Sequence, residues 1–247
     1  QPVMIKFLKN LFKSEKIIFK DKTNFKELIS NKEIQELFKS FSSYSSEAEL
    51  RFVGGCIRKI ISNEEVDDLD LSTNLKPENV IEILKKNKIR FYETGIEHGT
   101  ITAIINKKSF EITSLRKDIK TDGRHAEVEY TSNWEQDSER RDFTINAIYM
   151  DINGKIFDPQ MGTVDLKNRN IKFIGDPQKR IEEDYLRIIR FIRFKIMYDI
   201  TVEPTTSDAI KQNLDGIKKI SKERILIELL KILGLKNFLK INKGGSL

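Results

Sequence analysis

Three groups of residues in this chain have the type and spacing to act on a nucleotide. The first is the acidic pair in Asp68-Leu69-Asp70-Leu71. Successive strand side chains point to opposite faces, so Asp68 and Asp70 are expected side by side, with Leu69 and Leu71 packed behind them. Such carboxylates suit a hard divalent cation, and Mg²⁺ is usually held by one or two carboxylates together with the phosphates of a substrate. The second is the Gly54-Gly55 turn in RFVGGCIRK, where glycines without Cβ let backbone N–H groups approach those phosphates. The third is EDYLRIIRFIRF. At about 100° per residue, Ile181, Tyr185, Ile188, Ile189, Ile192 and Ile196 fall in one stripe. The other half of the wheel carries Asp184, Arg187, Arg190 and Arg193, together with Phe191 and Phe194, which reads either as a nucleotide-facing surface or as an ordinary salt-bridged one. Asp184 accepts hydrogen bonds and Arg187 donates them in a rigid fork. Cytosine and adenine each present an amine donor beside an unprotonated ring nitrogen, whereas uracil and guanine present the reverse. An Asp and an Arg one turn apart would therefore admit C or A and refuse U or G. Arg190 and Arg193 would be left for triphosphate oxygens.

The elements that must position these residues alternate between strand and helix. Residues 24 to 42 read as one or two short helices ending in a serine-rich turn. Strand, Gly-Gly turn, helix and strand follow, and Pro77 opens a helix with Val80, Ile81, Ile83 and Leu84 inward. ITAIINKKSFEITSL reads as two strands joined at Asn106-Lys107-Lys108. Within it Glu111 stands opposite in phase to Phe110 and Ile112, either as a third catalytic carboxylate or as an exposed strand glutamate. Between Arg116 and Glu139 the periodicity fails and an irregular segment is expected. The apolar INAIYMDI, a turn at Asn153-Gly154 and KIFD then read as a hairpin. From Pro177 the pattern is helical over 177 to 198 and 204 to 235. Trp134 reads as a loop anchor or a base-stacking platform. The fold class is α+β, a mixed sheet with helices followed by an all-helical region. Three segments are expected: an N-terminal helical extension over 1–46, a catalytic head over 47–175 and a helical neck over 176–247.

Composition narrows the partners. Lys and Arg number 44 against 38 Asp and Glu, a net charge of +6 that favours a polyanion such as nucleic acid. Cys56 is the only cysteine, which excludes an internal disulfide and a cysteine zinc site and fits a reducing cytosol. With only two histidines, His98 and His125, and no zinc spacing, both read as structural or solvent-facing. No apolar run is long enough to cross a bilayer. The lysine-rich N-terminal segment reads as an amphipathic helix on the domain surface, not a secretory or transit peptide, so a cytoplasmic location is expected.

With the Gly-Gly turn, the Asp-x-Asp pair, RRDFTINA and EDYLRIIRFIRF in this order, the chain resembles the bacterial-type tRNA nucleotidyltransferase and poly(A) polymerase family from Arg51 to about Leu233. The resemblance implies a polymerase-beta-like nucleotidyltransferase head and a helical neck. It implies that Gly55 and Arg58 touch the incoming triphosphate, that Asp68 and Asp70 bind metal, and that Arg141 contacts the nucleotide. Asp184 and Arg187 match the protein-side template for C and then A, Arg190 and Arg193 further nucleotide contacts, and the region from Asp122 to His125 the loop tied to the switch to A. Lys59 departs from the family, which usually has Asp there. The implied reaction is attack of a tRNA 3′ end on the α-phosphate of CTP or ATP with two Mg²⁺, adding C, C and A and releasing pyrophosphate. Poly(A) polymerase, CC-only or A-only addition, and an idle RNA-binding remnant are the alternatives. Members of the family continue into helical body and tail domains that grip tRNA, and this chain stops soon after the neck.

Overall fold

The computed structural model describes residues 22–66, 69–121, 126–200 and 202–235. Its centre is a seven-stranded mixed sheet in the order β3-β4-β5-β2-β1-β8-β9. The strands are β1 (Leu50–Val53), β2 (Asp70–Thr73), β3 (Arg90–Gly95), β4 (Thr100–Ile105), β5 (Lys108–Ser114), β8 (Tyr149–Met150) and β9 (Ile156–Phe157). Only β2 and β5 run parallel; every other neighbouring pair is antiparallel.

Alternation along the strands decides which face is covered. Leu50, Phe52, Leu71, Ile101, Ala103, Ile105, Phe110, Ile112 and Met150 form one apolar face. Onto it pack α1 (Thr23–Ser30), α2 (Lys32–Ser42), α3 (Gly55–Ser62) and α4 (Pro77–Lys86), through residues such as Phe25, Leu37, Ile57 and Ile83. Burying this surface is the main drive for the head to fold. Thr102, Glu111, Asp70, Ser72 and Arg51 stand on the other face, in register across four strands. Asn106 and Lys107 both have positive φ, the mirror-image turn that suits the twist of the β4–β5 hairpin.

The segment expected to be irregular is ordered in part. Over 116–121 and 126–130 it forms a separate two-stranded ribbon, β6 (Arg116–Thr121) with β7 (Ala126–Tyr130), followed by α5 (Trp134–Glu139). Its period-2 signal is absent from the sequence because the ribbon is laced by charges, as in the Lys117–Glu129 ion pair at 2.9 Å. The loop region matched to Asp122–His125 lies outside the described residues, as do Asp68, residues 1–21 and residues 236–247.

The helical part is also more broken than its spacing predicts. After α6 (Gly162–Lys167), the expected helix over 177 to 198 is two helices, α7 (Pro177–Glu183) and α8 (Leu186–Tyr198). Asp184 between them is extended (φ −156°, ψ 103°), and its Oδ1 accepts from the Leu186 amide at 3.1 Å. Tyr185 lies against Gly216, where a Cβ would come within 2.1 Å of its ring. Likewise, 204 to 235 divides into α9 (Pro204–Gln212), a 3₁₀ turn over Leu214–Lys219 and α10 (Lys222–Leu233), which is capped by Ser221. Phe191 and Phe194, expected beside the arginines on a nucleotide-facing half, are buried with Phe143 and Phe173 in a second core. That core joins the strand-rich part to the helices, since Ile145, Leu166 and Ile171 pack in it with Ile181 and Ile188.

Candidate active site

Asp70 and Glu111 are register partners across the parallel β2–β5 pair. Neighbouring strands lie about 4.8 Å apart, and partners in register project from the same face. Both residues are exposed, while Phe110, Ile112 and Leu71 are buried behind them. The alternation expected for Glu111 is therefore observed. Two carboxylates on one open face form a hard-oxygen donor set, and such a set fits Mg²⁺, which completes its shell with water and substrate phosphates. Among the described residues no group of three or more His, Cys, Asp or Glu is placed to hold a metal ion, and Asp68 is not among them.

One strand away, β1 runs into the glycine turn. Gly54 has φ +70° and ψ −116°, a conformation that side chains other than glycine's rarely allow, and its amide donates to the Ile148 carbonyl at 3.2 Å. The turn aims the start of α3, whose first-turn N–H groups lack intrahelical partners, in the manner of helix ends that bind phosphate. Arg58 leaves the first turn of α3 with its guanidinium already seated. It donates from Nη1 to Asn146 Oδ1 and from Nε to the Tyr198 hydroxyl at 3.2 Å, and its head lies 4.9 Å from the Phe194 ring centre.

Arg141 reaches the same open face from the loop after α5. Its guanidinium donates to Ser72 Oγ at 3.2 Å, to the Tyr149 hydroxyl at 3.0 Å and to Asp137 Oδ2 at 3.0 Å. Burial works against a charge on Asp137, but the Arg141 and Arg140 guanidinium groups outweigh it and hold the carboxyl below the usual carboxylate range. Burial likewise opposes the charge on Arg141, and Asp137 more than restores it. Trp134 is the loop anchor: it is buried, edge-on to Tyr149 with centroids 5.2 Å apart, and capped by Arg51 at 4.0 Å.

Asp142 turns the other way. Its Oδ2 accepts from Arg190 Nε at 2.7 Å and its Oδ1 from Asn146 Nδ2 at 2.7 Å. Desolvation raises the Asp142 pKa, yet Arg190, Asn146 and the Phe143 amide together bring it down to about 2. Glu228 on α10 completes the network, accepting from Arg193 Nε at 2.8 Å and lying 3.4 Å from Arg190 Nη1. The arginines expected on triphosphate oxygens are thus held by the half-buried Asp142 and the buried Glu228, and burial lowers the pKa of Arg193. A continuous polar chain runs Arg58, Asn146, Asp142, Arg190, Glu228, Arg193.

The candidate base-selecting pair sits at the α7–α8 break. Asp184 Oδ2 accepts from Arg224 Nη2 of α10 at 2.7 Å. Arg187 Nη1 donates to the Arg180 carbonyl at 2.6 Å and to Glu183 Oε2 at 2.7 Å. Sequence reasoning missed Asp137, Asp142, Asn146, Arg224 and Glu228. One signal was available: Glu228 is a lone acid in the apolar run ILIELLKIL, three residues after Ile225 and four before Ile232, and a buried acid needs a cation.

The chain is similar to known proteins in both sequence and structure. Residues 50–172 match the family model described as the poly A polymerase head domain, and residues 199–241 match the probable RNA and SrmB-binding site of polymerase A. The chain is 44% identical over 192 residues to the mitochondrial CCA tRNA nucleotidyltransferase 1 of Homo sapiens, covering 75% of this chain and 44% of that protein. It is 41% identical over 186 residues to the CCA-adding enzyme of Lactobacillus helveticus, covering 74% and 46%. In structure it is similar to the Bacillus stearothermophilus CCA-adding enzyme crystallised with CTP, with a TM-score of 0.74 and 32% identity over 88% of this chain and 50% of that one. The chain spans about half the length of the curated relatives it matches. No helix among the described residues is long and apolar enough to cross a membrane. On these matches the chain belongs to the class II CCA tRNA nucleotidyltransferase and poly(A) polymerase family.

Proposed function

We propose that this chain carries the nucleotide-transferring part of a CCA-adding enzyme, extending a tRNA 3′ end with C, C and A from CTP and ATP. The observation that carries the reading is the open, in-register pair Asp70 and Glu111 beside the glycine turn. Asp70 and Glu111, with Asp68, would hold Mg²⁺. When bound there, the metal neutralises charge on the triphosphate and lowers the pKa of an attacking hydroxyl.

The chain's own residues do the rest. Gly55 and the start of α3 bring backbone N–H groups to the triphosphate, and Arg58, held by Asn146 and Tyr198, adds a fixed positive charge. Arg141 locks α5 to β2 and keeps the open face in shape. Asp184 accepts the exocyclic amine of C or A while Arg187 donates to the ring nitrogen. Arg190 and Arg193, clamped by Asp142 and Glu228, fix the height and rotation of α8 so that this pair meets the base. Preorganised donors and acceptors of this kind need no rearrangement when the nucleotide arrives.

The test is to supply tRNA lacking its 3′ CCA with CTP, ATP and Mg²⁺. Addition that stops after three residues supports the reading. Because the matching head model is described as that of poly A polymerase, ATP alone is the informative control: an unbounded A tail would favour tailing over CCA addition.

A further inference from the structure

Asp184 is the acceptor half of the proposed base reader, yet no helix holds it. It lies in the break between α7 and α8 with extended backbone, and its side chain is about 20% exposed. Two contacts fix the carboxylate. The Leu186 amide donates to Oδ1 at 3.1 Å, and Arg224 Nη2 donates to Oδ2 at 2.7 Å. The first is local and turns with the loop. The second comes from 40 residues away on α10 and sets where the carboxylate plane points.

Arg224 is itself well anchored. It stands in the first turn of α10, where its own amide donates to the Ser221 side chain at 3.5 Å. One turn further along, Glu228 is clamped by Arg193 at 2.8 Å and lies 3.4 Å from both Arg190 and Lys231. Residues four apart share a helix face, so α10 presents two charged groups of opposite sign to α8. Arg224 takes the acid at the start of the α8 segment, and Glu228 takes the two arginines in its middle. This two-point grip fixes α10 against α8 in both rotation and height.

We infer that Arg224 is a specificity-determining positioning residue: by orienting the Asp184 carboxylate from outside its own loop, it sets the preference for bases that present an amine. A carboxylate oxygen has more than one acceptor site, so Asp184 keeps Arg224 and still receives an amine from C or A. A carbonyl in the same place, as in U or G, meets only acceptors and is repelled. Without Arg224 the carboxylate rotates about its own side-chain bonds, and the amine loses its aligned partner. The benefit to C and A falls, and so does the penalty on U and G, since specificity is the difference between the two. Arg187 has its own anchors on Glu183 and the Arg180 carbonyl, so it does not take over this role.

The inference rests on the base-selecting role proposed above for Asp184 and Arg187. Its test is the dissociation constants of CTP, ATP, UTP and GTP, each with Mg²⁺, for the wild-type chain and for Arg224→Ala and Arg224→Lys. The expected result is a wild-type preference for CTP over UTP and ATP over GTP that shrinks about tenfold in Arg224→Ala, with part of it restored in Arg224→Lys. If Arg224→Ala is too unstable to assay, Arg224→Lys alone is expected to show a reduced preference, because a point charge replaces a planar fork. A wild-type ratio preserved in these variants, or equal weakening for all four nucleotides, overturns this inference alone. A wild-type chain indifferent to the base overturns the base-selecting reading and this inference with it.

Discussion

Arg141 and Asp142 are neighbours in the chain whose side chains reach opposite halves of the molecule. Arg141 donates to Ser72 on β2, two residues from Asp70, while Asp142 accepts from Arg190 on α8. One peptide unit therefore ties the acidic face of the sheet to the arginine-bearing helix. The position of each relative to the other is set by these contacts within the protein.

The buried end of this link has a measurable weight. Glu228 is 3% exposed and Arg193 9%. Glu228→Ala leaves a buried guanidinium without its carboxylate, and removing one partner of a buried pair costs about 3–5 kcal/mol. Urea unfolding of Glu228→Ala is expected to show a loss of that order. A loss below about 1 kcal/mol, the level of an exposed pair, would show that the network contributes little.

Asp142 makes the link sensitive to acid. Arg190 and its other partners hold its folded pKa down at about 2, below the ordinary aspartate value of 3.8, so the folded state binds that proton less readily than the unfolded state. The resulting stabilisation is complete above about pH 5, declines as pH falls through 4, and is gone by about pH 1. A shift of this size corresponds to roughly 2 kcal/mol. Over pH 5 to 2, Asp142→Asn is expected to lose less stability than the wild-type chain. Parallel stability curves for the two proteins would contradict the assignment.

The two glycines of the turn should fail in different ways. Gly54→Ala forces a side chain into a left-handed conformation, and the fold should lose about 1–3 kcal/mol. At Gly55 an added Cβ would meet Arg58 Nη2 at 3.7 Å, an ordinary contact, and φ is not positive. Gly55→Ala should therefore melt near the wild-type temperature but bind CTP more weakly. Equal thermal destabilisation of both variants would show that Gly55 serves the turn and not the phosphate.

The open face makes a sharper prediction. Because Asp70 and Glu111 are exposed and the residues behind them carry the packing, Asp70→Ala and Glu111→Ala should keep the fold. Several kcal/mol of charge stabilisation would be lost, lowering nucleotide incorporation at least about a hundredfold. Glu111→Ala with unchanged turnover would return that residue to the status of an ordinary strand glutamate.

Much of the head was legible in the sequence because its sheet is apolar on one face only. Period-2 alternation in ITAIINKKSFEITSL gave β4, β5 and the facing of Glu111, and Pro77 marked the start of α4. The helical region was harder to read for a physical reason. Helix α8 is packed on two sides, with Ile188, Phe191 and Phe194 in one cluster and Leu186 and Ile189 in another. A helical wheel with one assumed buried stripe therefore put the two phenylalanines with the arginines. The break at Asp184 depends on Gly216 beneath Tyr185 and on Arg224, each distant in sequence. Asp142 and Asn146 lay within RRDFTINA, but their roles follow from partners that local spacing does not specify.

The most direct measurement is a crystal of the protein grown with CTP and Mn²⁺ in place of Mg²⁺, with the metal located by its anomalous signal. The expected result is a cation peak bonded to Asp70 and Glu111, at roughly 2.1 Å from carboxylate oxygen, with the cytosine amine on Asp184 and its ring nitrogen facing Arg187. A cation bound away from the β2–β5 carboxylates, or a base turned from the α7–α8 break, would contradict it.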